Sequence, residues 1–259
     1  MGMSSFLNHD KPLLCAMIQC PTPDGCIEKI RASHAEGAEA FGVQLCKLEK
    51  KYRTFDELKR IFDACEGKPI YVTSYRYGES IDYTDDECAA LLLLAIDAGA
   101  TLCDVMGDMF CRTPFLELTD DAEAIEKQKK LIEEIHARGG EVLMSCHTNQ
   151  STTLEQNLHI ARSQAERGAD IIKIVSRAES ASEMPVYIDS IQKIIAETGK
   201  KLLFLLCGEG EVIRYIGAEF GVCMYLCVAY HGSLDTPEQP TLRRARAVRD
   251  NIVLRGRRW

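Results

Sequence analysis

Eight times along this 259-residue chain a short apolar run is followed by a stretch with helical character. The strand-length runs are Leu13–Gln19, Phe41–Cys46, Pro69–Tyr75, Thr101–Val105, Glu141–Cys146, Asp170–Val175, Lys201–Leu206 and Val222–Cys227. The stretches between and after them are Gly25–Gly37, Phe55–Cys65, Thr84–Ala98, Asp121–Arg138, Thr153–Arg167, Ser180–Thr198, Val212–Phe220 and Thr241–Leu254. Runs such as Ile171-Ile172-Lys173-Ile174-Val175 are apolar at odd and even positions alike. That is the pattern of parallel strands covered on both faces, not of a sheet with one face in water. Gly37, Gly67, Gly99, Gly139, Gly168 and Gly199 each follow a helical stretch, where a left-handed cap favours glycine. Thr84 and Glu87 have capping-box spacing. Eight βα units in about 250 residues are the size of a closed (β/α)₈ (TIM) barrel. With no Pro/Ser-rich linker, we expect one domain over 1–259, ending in an Arg-rich tail at about 255–259.

The composition excludes several classes of function. There are 31 basic and 39 acidic residues, a net charge of −8, which argues against a nucleic-acid partner. The longest apolar run, Ala89–Ile96, is too short to span a bilayer. The N-terminal residues carry no basic-then-apolar signal pattern, so a cytoplasmic protein is expected. The 12 cysteines include no C-x-x-C. Most fall in apolar runs, where a free cysteine behaves as a small hydrophobe in a reducing compartment. Gly208-Glu209-Gly210 lacks the third glycine of a dinucleotide fingerprint.

A barrel confines chemistry to the C-terminal ends of its strands. In the sixth strand Lys173 is flanked by apolar residues and must point either into the barrel or at the helix layer. Two readings stand side by side: a lysine paired with a neighbouring carboxylate, or a Schiff-base nucleophile whose amine is freed by desolvation. The fifth strand ends Ser145-Cys146-His147, placing a general acid or base beside it. After the third strand come Arg76, able to clamp a carboxylate, and Glu79, able to orient a histidine. Arg214 sits in the first turn of helix seven, the wrong end for a cation to meet the dipole, which suits a ligand contact instead. The loop 229–240 has the length of a lid.

Together these windows resemble the type I 3-dehydroquinate dehydratases. The resemblance rests on Ser145-Cys146-His147, on Asp170-Ile171-Ile172-Lys173-Ile174, on Val212-Ile213-Arg214 followed by Gly217, Phe220 and Gly221, and on Pro237-Glu238-Gln239. It implies a lyase that dehydrates 3-dehydroquinate to 3-dehydroshikimate. Lys173 would form the imine, His147 would act as general acid/base for syn elimination, and Glu79 would hold His147. Arg76 and Arg214, with Ser233 and Gln239 from the lid, would bind the carboxylated hydroxy-ketone. It further implies no metal, no cofactor beyond the covalent imine, and a homodimer. Where the family carries a Glu-x-Arg pair, at the end of the second strand, this chain has Gln44 and Cys46. Thr148 replaces the aspartate after the motif histidine, and the Arg76–Glu79 spacing is one residue short. These departures leave open a related hydroxy-keto acid as substrate, an aldolase-like reaction, or a barrel that binds without turnover.

Overall fold

The computed structural model describes residues 4–252. Eight strands appear in the expected order: β1 Leu13–Ile18, β2 Ala40–Gln44, β3 Ile70–Thr73, β4 Leu102–Met106, β5 Glu141–His147, β6 Ile171–Ala178, β7 Lys201–Gly208 and β8 Met224–Cys227. Each is followed by a helix: α1 Pro23–Ala35, α2 Phe55–Asp63, α3 Asp85–Ala98, α4 Ala122–Ala137, α5 Leu154–Glu166, α6 Met184–Thr198, α7 Ile213–Ile216 and α8 Leu242–Asn251. Every strand pairs in parallel with the next from β1 to β7, and β8 pairs with β1. The β7–β8 seam is short. It rests on a parallel bridge, Leu202–Val222, and on the Cys223 N–H donating to the Leu202 carbonyl at 2.8 Å. The fold is a single (β/α)₈ barrel. The Arg-rich tail at 255–259 lies outside the described residues.

Strand alternation divides the core in two. On β1, Leu14, Ala16 and Ile18 join the cluster that includes Cys26 and Ile30 of α1, while Leu13, Cys15 and Met17 join the one that holds Tyr71, Leu203 and Leu226. Phe6, 2% exposed, belongs to this second cluster, and its N–H donates to Glu141. The Thr84–Glu87 capping box forms as expected, and Thr153 with Gln156 makes a second. Helix seven is the largest departure: four α-helical residues followed by a 3₁₀ turn, Gly217–Phe220, instead of one continuous helix. Glycines at 217 and 221 break a segment too short to propagate. All 12 cysteines are free, eight buried and four half-buried, as their apolar surroundings suggested. No helix among the described residues is long and apolar enough to cross a membrane.

Candidate active site

The C-terminal mouth of the barrel opens into a cavity of about 610 Å³. Its floor carries Lys173, placed there by β6. Register pairs Lys173 with Ser145 of β5 and His147 with Val175, so His147 stands two residues further toward the mouth. Both residues line the cavity.

Lys173 is 3% exposed and its ammonium is enclosed. Nζ donates to Asp104 Oδ2 at 2.9 Å, to the Tyr75 hydroxyl at 2.5 Å and to the Tyr71 hydroxyl at 3.1 Å. Both phenols in turn donate to Asp104 Oδ2, and Ser145 Oγ donates to Oδ1 at 2.5 Å. Burial pushes the Asp104 carboxyl up. The Lys173 ammonium first, then the neighbouring His147 and the hydroxyls of Ser145 and Tyr71, outweigh it and hold the carboxyl below its ordinary value. Burial first, and then the Asp104 charge, push both tyrosine hydroxyls well up, so they stay protonated. Lys173 thus pairs with a buried carboxylate and at the same time lines the cavity.

His147 meets a carboxylate that the sequence did not suggest. Nδ1 lies 2.6 Å from Glu117 Oε2, and the backbone N–H of His147 donates to the same oxygen at 2.5 Å. A carboxylate only accepts, so this pairing puts the proton on Nδ1 and leaves Nε2 as the nitrogen with a lone pair. Glu117 belongs to the β4–α4 loop, with φ +48° next to Leu116 at φ +63°. Two consecutive left-handed residues of this kind cost energy and persist only when contacts fix them. Cys146 Sγ supplies one such contact, donating to the Glu117 carbonyl at 3.1 Å. Gly107 makes room for the loop: a Cβ there would lie 2.6 Å from both that carbonyl and Cys146 Sγ.

Other expected residues fall into three groups. Gln44, Gln239 and Arg214 line the cavity. Arg214 is 6% exposed, with Nε donating to the Leu206 carbonyl at 2.7 Å and Nη2 to Cys207 Sγ at 3.2 Å. Neither of these partners is a carboxylate. Gln44 Oε1 accepts from the Tyr77 hydroxyl at 2.9 Å, and Gln239 Oε1 accepts from Gln19 at 3.1 Å. Arg76 also lines the cavity, but Asp108 and Asp85 (3.1 Å) already hold its guanidinium.

Glu79 and Ser233 are not brought to the cavity. Glu79 is exposed in the 3₁₀ turn Gly78–Ser80 and is absent from the cavity wall; Glu117 holds the position assigned to it. Ser233 is exposed near the tip of the β8–α8 loop, which the buried Lys29–Asp235 ion pair anchors, and Thr236 and Gln239 reach the cavity instead. Cys46 is fully buried in the 3₁₀ turn after β2 and lies off the cavity wall. Arg112 was missed. It lines the cavity from the same loop as Glu117. No cluster of metal-ligating side chains occurs among the described residues.

Comparison with known proteins gives a consistent answer. The family model described as type I 3-dehydroquinase matches residues 14–252. The 3-dehydroquinate dehydratase of Geobacillus kaustophilus superposes with a TM-score of 0.82 at 15% identity, covering 96% of this chain and 95% of its own. The type I enzyme of Clostridium difficile, solved with covalently modified comenic acid, gives 0.80 at 16% identity, covering 94% and 93%. That of Enterococcus faecalis gives 0.77 at 16%, covering 96% and 98%. At such identities the superpositions speak for the fold alone. No curated protein matches the sequence.

Proposed function

Because the chain belongs to the type I 3-dehydroquinase family, whose members are carbon–oxygen lyases that dehydrate 3-dehydroquinate, we propose that Lys173 carries this reaction through an imine. Nζ attacks the substrate ketone, water leaves, and a protonated imine forms. The imine withdraws electrons more strongly than a ketone and acidifies the neighbouring C–H. His147 Nε2 takes that proton. The electron pair moves into the new C=C bond, and the β-hydroxyl departs with the proton that His147 returns. Glu117, hydrogen-bonded to Nδ1, fixes the ring and stabilises the imidazolium between the two transfers. Arg214 faces the substrate carboxylate, and Gln44 and Gln239 face its hydroxyls. The imine is the electron sink, so the reading needs no added cofactor. The family resemblance adds a homodimer and a cytoplasmic location.

The observation that carries this reading is a lysine 3% exposed at the floor of a cavity whose wall one step higher bears a carboxylate-oriented histidine. An assay of conjugated-enone absorbance with 3-dehydroquinate tests it. Wild type should turn over, and Lys173→Ala should not. The neutral Gln44, hydrogen-bonded to Tyr77, favours one variation, a related hydroxy-keto acid handled by the same imine chemistry. Turnover of that acid in place of dehydroquinate would move the substrate and keep the mechanism.

A further inference from the structure

The elimination needs one acid/base, but imine formation needs proton transfers of its own, and the floor of the cavity holds a separate set of groups for them. An ammonium has three N–H donors. All three of Lys173 are engaged, by Asp104, Tyr71 and Tyr75. No N–H is left over for the cavity, and the nitrogen has no lone pair until a proton leaves. Asp104 is the only carboxylate in contact with Nζ among the described residues, and it is absent from the cavity wall. Tyr71 and Tyr75 both line the cavity, Tyr71 fully buried within β3. Tyr75 stands two residues beyond the end of β3, nearer the mouth, with its ring edge-on to His147 at 5.1 Å between centroids. Its hydroxyl accepts from Nζ and donates to Asp104, so it already joins donor and acceptor in one chain.

We propose that Tyr75 is a catalytic residue of imine formation, relaying protons among Lys173, Asp104 and the oxygen that the substrate ketone loses. This rests on Lys173 being the Schiff-base lysine. In the first step an ammonium proton passes to the Asp104 carboxylate, leaving a neutral amine over a neutral acid. The amine attacks, the C–N bond forms, and the carbonyl π pair moves onto oxygen. One N–H proton crosses the Tyr75 hydroxyl to that oxygen, giving a carbinolamine. The nitrogen lone pair then forms C=N as the C–O bond breaks. The proton held by Asp104 returns through Tyr75 to the departing hydroxyl, which leaves as water. The ammonium has lost two protons, both now in water, and the imine nitrogen keeps the third. Asp104 is again a carboxylate, beneath a cation that replaces the ammonium. A phenol that stays protonated suits a relay, because each hop hands on one proton as another arrives. His147 and Glu117 are then reserved for the C–H and C–O steps.

Rapid-quench kinetics of adduct formation on Lys173 test this, in wild type, Tyr75→Phe and His147→Gln. Two probes are used: 3-dehydroquinate trapped by borohydride, and pentane-2,4-dione, whose enaminone is read by absorbance and intact mass and which has no hydroxyl to eliminate. Tyr75→Phe should slow adduct formation with both probes by about 10²-fold, the low end of general acid–base effects, and more than His147→Gln does. Wild-type rates in Tyr75→Phe, or slowing confined to His147→Gln, overturn the relay and leave the imine reading standing. A diketone adduct that depends on Tyr75, with none from dehydroquinate even in wild type, keeps the relay and removes the substrate. No adduct with either probe in wild type overturns both. If Tyr75→Phe does not fold, the wild-type diketone rate in H2O–D2O mixtures decides. A curved dependence, from more than one proton in flight, supports the relay, and a linear or absent isotope effect overturns it.

Discussion

At the floor of the cavity Asp104, Tyr71, Tyr75 and Lys173 touch one another, none more than 7% exposed, while one level higher His147 and Glu117 pair with 33% and 22% of their side chains open. The floor cluster hangs from β3, β4 and β6 and from Tyr75 two residues beyond β3; the rim pair joins a strand end to a loop. The floor can only pass protons among its own members or to a substrate lying directly above. The rim can exchange them with substrate and with water. One cluster is thus suited to reversible imine chemistry, in which the protons given to water on imine formation return on hydrolysis, and the other to moving a proton between two substrate atoms.

The largest expected effects fall on the residues proposed to bond to or deprotonate substrate. Lys173→Ala should remove turnover to below about 10⁻⁴ of wild type in the enone assay, since no other described group replaces a covalent nucleophile. Measurable turnover above that level would break the division at the floor. His147→Gln should lower kcat by about 10²- to 10⁴-fold, the range of a general acid/base, measured in the same assay. A smaller loss would mean that the rim does not handle the C–H step.

The floor also predicts a pH-dependent stability. The Asp104 carboxyl is held below its ordinary value in the fold. Its contribution is therefore complete above the unfolded value, about 3.9, and is lost as pH falls through the lower folded value. Asp104→Asn leaves the Lys173 charge buried without its partner, and should cost about 3–5 kcal/mol in urea unfolding at pH 7. The gap to wild type should shrink below pH ~4. An equal gap at pH 7 and pH 3 would show that the loss comes from packing and not from charge.

The smallest effect sharpens the rim. Glu117→Gln removes one charge-assisted hydrogen bond, about 1.5–3 kcal/mol, or about 10- to 150-fold in kcat. Glu79→Gln should stay within about twofold of wild type, the scale of an exposed substitution. The reverse order in the enone assay would return the orienting role to Glu79.

This contrast also explains what could be read from the sequence. Lys173 was legible because a charge in the middle of an apolar strand must point somewhere costly. Asp104 carries the same signal in Leu102-Cys103-Asp104-Val105-Met106 and could have been taken with it. Tyr71 and Tyr75 were hidden for a milder reason: tyrosine is ordinary in strands, and only the register brings both onto one carboxylate. Glu117 had no such signal. Its place depends on two left-handed residues in a loop, on Cys146 and on the space at Gly107, none of which has a periodicity. Spacing after β3 pointed to Glu79 instead, whose side chain is exposed in the 3₁₀ turn and lies off the cavity wall. Cys146, next to His147 in the sequence, packs under the site and holds the Glu117 loop through its hydrogen bond to the Glu117 carbonyl.

The most direct test of the central claim is borohydride reduction of His147→Gln during incubation with 3-dehydroquinate, followed by peptide mass spectrometry. The account predicts an adduct on the Lys173 peptide that accumulates because elimination is blocked after the imine has formed. An adduct on another lysine, or none while wild type still releases enone, would contradict it.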